Sequence, residues 1–533
     1  MKWTKKWSVL ILFVGVAAAS IRLPRLEHRP MHGDEAVHAI KFGELLERGE
    51  YLYDREEYHG PTLNYFTLIP SWLGGEEKLA EVNEFTLRIV PVFFGVGLIL
   101  LLLLAVDGLG PVASVFAGVL TAFSPAMVFY SRYYIAEMLL VFFTFGVIVC
   151  GYRYVQNRSF KWALLTGLFA GLMYATKETC IIAYFSMVGA MVFTLMVQDK
   201  KAGAVDAVAR IKPMHIVAGV LAAMAVSVLF YSSFFTNPAG IADSVLSYSG
   251  YFSRGVEDSV HIKPWYYYFD ILTWMEGFER LTWNEDFIVV MAGFGFIFLM
   301  RKKGISSGNM GFLRFLAFYT LIMTLVYSAI PYKTPWSMLS FLHGMILLAG
   351  VGAAVLVKWA QARWEKVVVW TFLGLFGLLI PVFQAYLGSY RHYTSPSNPY
   401  VYAHPTKDVF EITGRIEDIA GVHPDGHDMY IQVICRGDDY WPLPWYLRDF
   451  NKVGWWNDVN EDAESAEVII ASADVEESLM RKLYELPEPG EKHLYVPLFD
   501  SYMELRPEVE LRGYVRKELW DSYVQSEPLQ SNE

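Results

Sequence analysis

Cysteine, basic charge and glycine-rich motifs are all scarce in this 533-residue sequence, and each scarcity excludes something. Cysteine occurs only at Cys150, Cys180 and Cys435. The number is odd, the spacing is wide and no CxxC is present, so neither a disulfide framework nor a thiolate zinc site is indicated. Charged residues make up only 19% of the chain, where a soluble domain carries about 25%. Lys+Arg 44 against Asp+Glu 55 gives a formal charge of -11, and no segment forms a basic domain, so nucleic-acid binding is not expected. No glycine-rich phosphate loop is present either, which argues against a bound nucleotide. Internal repeats and low-complexity tracts are absent from the sequence.

What the chain has instead is 54% hydrophobic and 16% aromatic residues, gathered in long apolar blocks. Their length, about twenty residues, suits a hydrocarbon core of ~30 Å. The blocks predict a polytopic α-helical membrane protein of about eleven transmembrane helices, near 7–25, 86–106, 111–130, 135–152, 162–177, 179–197, 214–235, 286–300, 315–331, 338–357 and 367–388. With alternating spans, five basic clusters fall on one side: Lys2, Lys5 and Lys6; Arg153, Arg158 and Lys161; Lys200, Lys201, Arg210 and Lys212; Arg301, Lys302, Lys303 and Arg314; Lys358, Arg363 and Lys366. That side is cytoplasmic by the positive-inside rule, which sets the N-terminus inside a multi-pass plasma-membrane protein. The basic start and Ala17-Ala18-Ala19 also fit a cleavable signal peptide, and cleavage would leave the downstream orientation unchanged.

The extracytoplasmic side receives the loops at 26–85 and 236–285 and everything after 388. Residues 34–48 alternate at helical spacing and stop at Gly49, which predicts an interfacial amphipathic helix. Trp265-Tyr266-Tyr267-Tyr268-Phe269 reads as an interfacial aromatic belt, with sugar stacking as the alternative. After a transmembrane domain at 1–390, residues 391–533 change character. Strand-length apolar runs at 429–435, 468–471 and 493–497 alternate with helical segments at 406–420 and 473–485, predicting an extracytoplasmic soluble α/β domain. Ser395-Pro396-Ser397-Asn398-Pro399 marks the linker, and the acidic stretch 456–466 reads as a solvated loop.

The outer side also gathers polar residues that are costly at a membrane boundary unless paired or functional. These are His32-Gly33-Asp34-Glu35-Ala36-Val37-His38, Tyr58-His59-Gly60-Pro61, Arg132 and Glu137 around the third and fourth spans, Lys177 and Glu178 in Ala175-Thr176-Lys177-Glu178-Thr179, and Lys333 in Pro331-Tyr332-Lys333-Thr334-Pro335-Trp336. A carboxylate such as Asp34 can deprotonate a hydroxyl, and cations can hold a phosphate and the charge developing on it. Plainer readings stand beside these. Asp34 suits an N-cap, and Glu35 a first helical turn. Glu137 suits a partner for Arg132. Arg132, Lys177 and Lys333 suit headgroup-binding cations, and Arg88 a lipid anchor. His32, His38 and His59, with Asp34 and Glu35, suit a possible divalent metal, although the spacing matches no specific zinc motif. Trp441 and Trp445 suit sugar stacking or docking of the tail.

In their order along the chain these motifs resemble the GT-C fold membrane glycosyltransferases, and among them the dolichyl-phosphate-mannose protein mannosyltransferases and lipid A aminoarabinose transferases. The likeness is strongest to a prokaryotic mannosyltransferase-like subgroup with Lys-Glu-Thr and Tyr-Lys-Thr-Pro-Trp turns. It covers about residues 1–390 and extends to Tyr440-Trp441-Pro442-Leu443-Pro444-Trp445-Tyr446-Leu447-Arg448 in the tail. The resemblance implies transfer of a sugar from a polyprenyl-phosphate-linked donor to a lipid, glycan or protein acceptor on the extracytoplasmic side, among membrane lipids. It implies Asp34 and Glu35 as the catalytic acidic pair, and His59, Arg132, Glu137, Lys177, Glu178 and Lys333 as the donor-phosphate and substrate-binding set. His59 departs from the pattern, standing where the aminoarabinose transferases carry a lysine. The rival readings are a transporter or flippase for lipid-linked sugars, and a non-catalytic membrane partner. Transporters set their charges near the midplane, whereas these cluster at one end of the spans.

Overall fold

The computed structural model describes residues 5–55, 59–197, 212–257, 261–273, 283–301, 307–488, 490 and 492–526. Tyr58 and the basic residues Lys2, Lys200, Lys201, Arg210, Lys302 and Lys303 lie outside them. The chain divides into two units. Residues 1–26, 44–75 and 83–402 form the first; residues 27–43, 76–82 and 403–533 form the second. The main boundary falls at 402/403, not at the 390/391 suggested by the linker, and two pieces of the loop at 26–85 belong to the second unit.

In the first unit a helix stands on each of the eleven apolar segments, from Lys5–Arg22 to the continuous helical stretch Arg363–Arg391. Among the described residues seven helices are long and apolar enough to cross a membrane, or eight if one bent pair is a single span. The remainder fall short for identifiable reasons. Phe160–Tyr174 and Asp286–Met300 have 15 residues each, a rise of about 22 Å, and Lys5–Arg22 carries Lys5, Lys6 and Arg22 at its ends. The helix Pro335–Trp359 is the most enclosed, with 83% of its apolar window buried, against 11% for Pro213–Tyr231. Small residues let neighbouring helices close up: a Cβ on Gly167 would stand 2.0 Å from the Gly219 carbonyl oxygen.

The third predicted span is broken. Pro111–Phe123 and Pro125–Ser131 meet at 57° around Ser124. A break inside a membrane frees backbone groups that lipid cannot satisfy. Two buried polar side chains close it. Arg22 donates to the carbonyls of Thr121 (2.9 Å) and Ala122 (2.6 Å). Glu285 accepts from the Ser124 hydroxyl (2.6 Å) and the Ala126 N–H (2.9 Å). A donor stands at the carbonyl end and an acceptor at the amide end, as the orphaned groups of the two helix termini require. Arg88, expected at the lipid surface, is fully buried instead and donates to the Leu26 carbonyl at 2.6 Å.

The second unit is built on a mixed six-stranded sheet, β1 (Ile431–Ile434), β2 (Val453–Trp456), β3 (Val468–Ser472), β4 (Tyr495–Pro497), β5 (Met503–Arg506) and β6 (Val509–Arg516), in the order β2-β1-β3-β6-β4 with β5 also on β6. β2, β1 and β3 run parallel, and β6 is antiparallel to β3. Alternate residues serve two cores, as the period of a strand requires. Ile431, Val433, Val468 and Ile470 pack with the helix Asp408–Val422 on one face. Ile434, Ile469 and Ala471 pack with Glu476–Tyr484 on the other. The three predicted strands and two predicted helices of the tail are all present. Trp445 is fully buried, with the Arg448 guanidinium 3.9 Å over its ring, so it is not open to a sugar. Arg448 also reaches the carbonyls of Leu79 (3.3 Å) and Val82 (3.0 Å), tying the 76–82 piece into this unit.

Candidate active site

The helix predicted at 34–48 runs Gly33–Arg48 and ends at Gly49, whose φ of +70° suits glycine. Its cap is His32. The His32 carbonyl accepts the Ala36 N–H at 2.9 Å, and its Nδ1 accepts the Asp34 N–H at 3.0 Å. Glu35 completes a reciprocal capping box by accepting the His32 N–H at 3.1 Å. The cap expected at Asp34 is therefore supplied by its neighbour two residues earlier.

This leaves two adjacent carboxylates in opposite conditions. Glu35 is fully buried and both its oxygens lie 2.9 Å from the Arg29 guanidinium. The Asp34 side chain is 49% exposed, with His32 Nδ1 3.7 Å from its carboxylate. The C-terminal residues of the same unit hold this helix start: the Tyr446 hydroxyl accepts the Met31 N–H at 2.8 Å, and His404 packs its ring 5.0 Å from that of His32. His38 is buried further along the helix. Among the described residues no three His, Cys, Asp or Glu side chains gather as metal ligands, so the divalent site considered for His32, His38 and His59 has no such set.

In the first unit, the loop His59-Gly60-Pro61 docks onto the turn 175–179. A Cβ on Gly60 would stand 2.3 Å from the Ala175 carbonyl oxygen, so only glycine permits this approach. The contact is sealed by the Thr62 N–H on that same oxygen (3.2 Å) and by Thr62 and Thr176 hydroxyls 2.8 Å apart. Docking sets His59 Nδ1 2.9 Å from Glu178, whose other oxygen accepts the Tyr53 hydroxyl at 2.8 Å. Burial alone would raise the Glu178 carboxyl, but the facing His59 and the Tyr53 hydroxyl more than offset it and hold it at about 2. A carboxyl held below its ordinary 4.5 stabilises the fold above that pH, and the contribution is lost as pH falls toward 2. Wild type is thus expected to unfold at a higher temperature than Glu178→Gln at pH 6, with the gap closing between pH 4.5 and 2.5 in detergent. A gap constant over that range would refute the carboxylate's role.

Lys177, next along the turn, makes a buried ion pair with Glu137. Burial opposes its charge, yet Glu137 and then Glu178 raise its pKa above the lysine norm. Arg132, considered a partner for Glu137, does other work. Its guanidinium donates to the carbonyls of Arg22 (2.5 Å), Pro24 (2.8 Å) and Arg25 (3.0 Å) and to the Tyr390 hydroxyl (2.9 Å), pinning the turn that leaves the first helix. Lys333 is 1% exposed and donates to the carbonyls of Lys263 (3.2 Å) and Ile330. Burial lowers its pKa. Arg29, Tyr53 and Lys263 enter these clusters without having been singled out in the sequence, because nothing local marks which distant residue each will meet.

Long apolar helices, a loop after the first helix that carries an acidic helix start, and a C-terminal α/β unit together define the GT-C fold of membrane glycosyltransferases. Residues 69–231 match the dolichyl-phosphate-mannose-protein mannosyltransferase family. ArnT from Cupriavidus metallidurans, solved with undecaprenyl phosphate, superposes with a TM-score of 0.62 at 13% identity, covering 96% of this chain and 98% of that one. The archaeal oligosaccharyltransferase AglB from Archaeoglobus fulgidus, solved with an inhibitory peptide and a dolichol-phosphate, gives 0.57 at 11% identity, over 89% of this chain and 70% of that one. No curated protein matches the chain in sequence.

Proposed function

We propose that this protein is a membrane glycosyltransferase that moves a hexose, mannosyltransferase-like, from a polyprenyl-phosphate-linked donor to an acceptor hydroxyl on the extracytoplasmic side. The fold and the match at 69–231 support the class. The observation that carries the chemistry is the contrast between Asp34 and Glu35. One carboxylate is open to a reactant, and the other is taken up by Arg29 and the helix cap.

In this reading Asp34 removes the acceptor proton as the hydroxyl oxygen bonds to the anomeric carbon. The anomeric C–O bond breaks, and its electron pair leaves with the lipid phosphate. Glu35 positions the helix start instead of reacting. Lys333 receives the phosphate, since its ammonium carries a third N–H beyond the two carbonyls it meets. His59, oriented by Glu178, offers the substrate a hydrogen-bonding contact. Lys177 and Glu137 neutralise one another and hold the turn, and Arg132 holds the exit of the first helix. The acceptor is a lipid, a glycan or a protein, and the surrounding lipids are those of a plasma membrane whose cytoplasmic face meets the basic loops.

Radiolabelled sugar on a polyprenyl phosphate, supplied to membranes with a crude acceptor pool, tests the reading. Label is expected to move into product with wild type and not with membranes lacking the protein. Label that instead crosses the bilayer still attached to its lipid would replace the transferase by a flippase.

A further inference from the structure

The loops around residues 262 and 332 are joined by an antiparallel bridge between Ile262 and Tyr332. The Lys263 N–H donates to the Pro331 carbonyl, and the Lys333 N–H to the His261 carbonyl, both at 3.0 Å. Side chains alternate across such a bridge. Ile262 and Tyr332 share one face and are exposed, at 46% and 38%. Lys263 and Lys333 share the other face, where Lys333 is buried and Lys263 half-buried. His261 on that side bonds through Nδ1 to the Tyr402 hydroxyl at 2.7 Å. The Lys263 ammonium stands 6.0 Å from the Tyr402 ring. Among the described residues neither lysine has a carboxylate partner. Two cations on one face of a bridge, one buried and one half-buried, with no carboxylate beside either, suit an anionic ligand.

We propose that Lys263 is a second phosphate-binding residue, and that the bridged pair Lys263 and Lys333 is matched to the phosphate after bond cleavage. The proposal rests on the glycosyl-transfer reading. A sugar-linked lipid phosphate is a diester with one negative charge. When the anomeric C–O bond breaks, the bonding electrons stay on the phosphate oxygen, which becomes a monoester with a second charge. The acceptor oxygen takes the place of that oxygen on the sugar, and its proton goes to the base. One ammonium answers the charge already on the donor, and two answer the charge that appears during reaction, so the second cation acts on the transition state more than on the ground state.

The test uses the full-length protein in detergent or nanodiscs. The Lys263 backbone makes the bridge and its side chain does not, so Lys263→Met is expected to fold as wild type. Its kcat should fall about 10- to 100-fold with KM for the donor changed less than about threefold, and inhibition by undecaprenyl phosphate should weaken about 10-fold. Lys263→Arg, which keeps the charge, should recover most of both. Unchanged kcat and unchanged inhibition in Lys263→Met, in an enzyme that transfers sugar, would overturn the role of Lys263 and leave the function standing. If wild type transfers no sugar, undecaprenyl phosphate binding still reads the site directly. Binding weakened by Lys263→Met and restored by Lys263→Arg supports an anion site without the reaction, and equal binding to all three overturns it.

Discussion

Asp34→Asn is expected to lower kcat for sugar transfer by about 100- to 10,000-fold, the range that a positioned general base contributes. The substitution is nearly isosteric and removes only the capacity to accept a proton. The side chain is half exposed and plays no part in the helix cap, whose bonds run through His32 and Glu35. Stability should therefore move by no more than about 0.5 kcal/mol, as for an ordinary surface position. Glu35→Gln gives the contrast. It leaves the buried Arg29 guanidinium facing a neutral amide, so it should destabilise the protein before it affects chemistry. Single-turnover rates with thermal unfolding of both variants separate the two effects. An Asp34→Asn enzyme that is folded and fully active would remove Asp34 from the base role.

The contrast between those neighbours was beyond the reach of sequence reading, and the reason is general to this chain. Hydropathy and helix punctuation are local properties. They suffice to place a helix on every apolar segment, and to place the helix at Gly33–Arg48 with its stop at Gly49. The tail's buried strands β1 and β3 stand out as apolar runs for the same reason. In β6, Val509, Leu511 and Val515 alternate with charged or polar residues, a quieter signal than the apolar runs of β1 and β3. Partnership is not local. Glu137 meets Lys177, 40 residues on, and not the nearby Arg132. Arg132 meets carbonyls about 110 residues before it. No pattern in either stretch announces such distances. Charge at one end of the spans was readable as a set of candidates, and its division into paired, structural and open members was not.

That division gives the second large expectation. Lys177→Met removes one member of the buried pair and strands the other, so Glu137 is left charged without a partner. Breaking such a pair costs about 3–5 kcal/mol. The unfolding temperature in detergent should fall accordingly, and the loop carrying His59, which docks on the same turn, should become more sensitive to protease. Lys177→Met with Glu137→Leu removes both charges and should recover most of the loss, because a buried pair replaced by apolar groups is often close to neutral. Full stability in the single variant would show that the pair does not hold the turn. Failure of the double variant to improve on the single one would show that Lys177 has a further anionic partner.

The second unit is assembled from three separate stretches of chain, 27–43, 76–82 and 403–533. Trp441 lies beneath Gly33, Tyr446 holds Met31, and Arg448 holds Leu79 and Val82. A terminal domain of this kind cannot be gained or lost by one recombination event at the end of a gene. Fusing 403–533 to another transmembrane protein would deliver a sheet without the helix start that it supports, and a host truncated at 402 would keep Asp34 but lose what orients it. Exchange between lineages must therefore carry residues 27–43, 76–82 and the tail together.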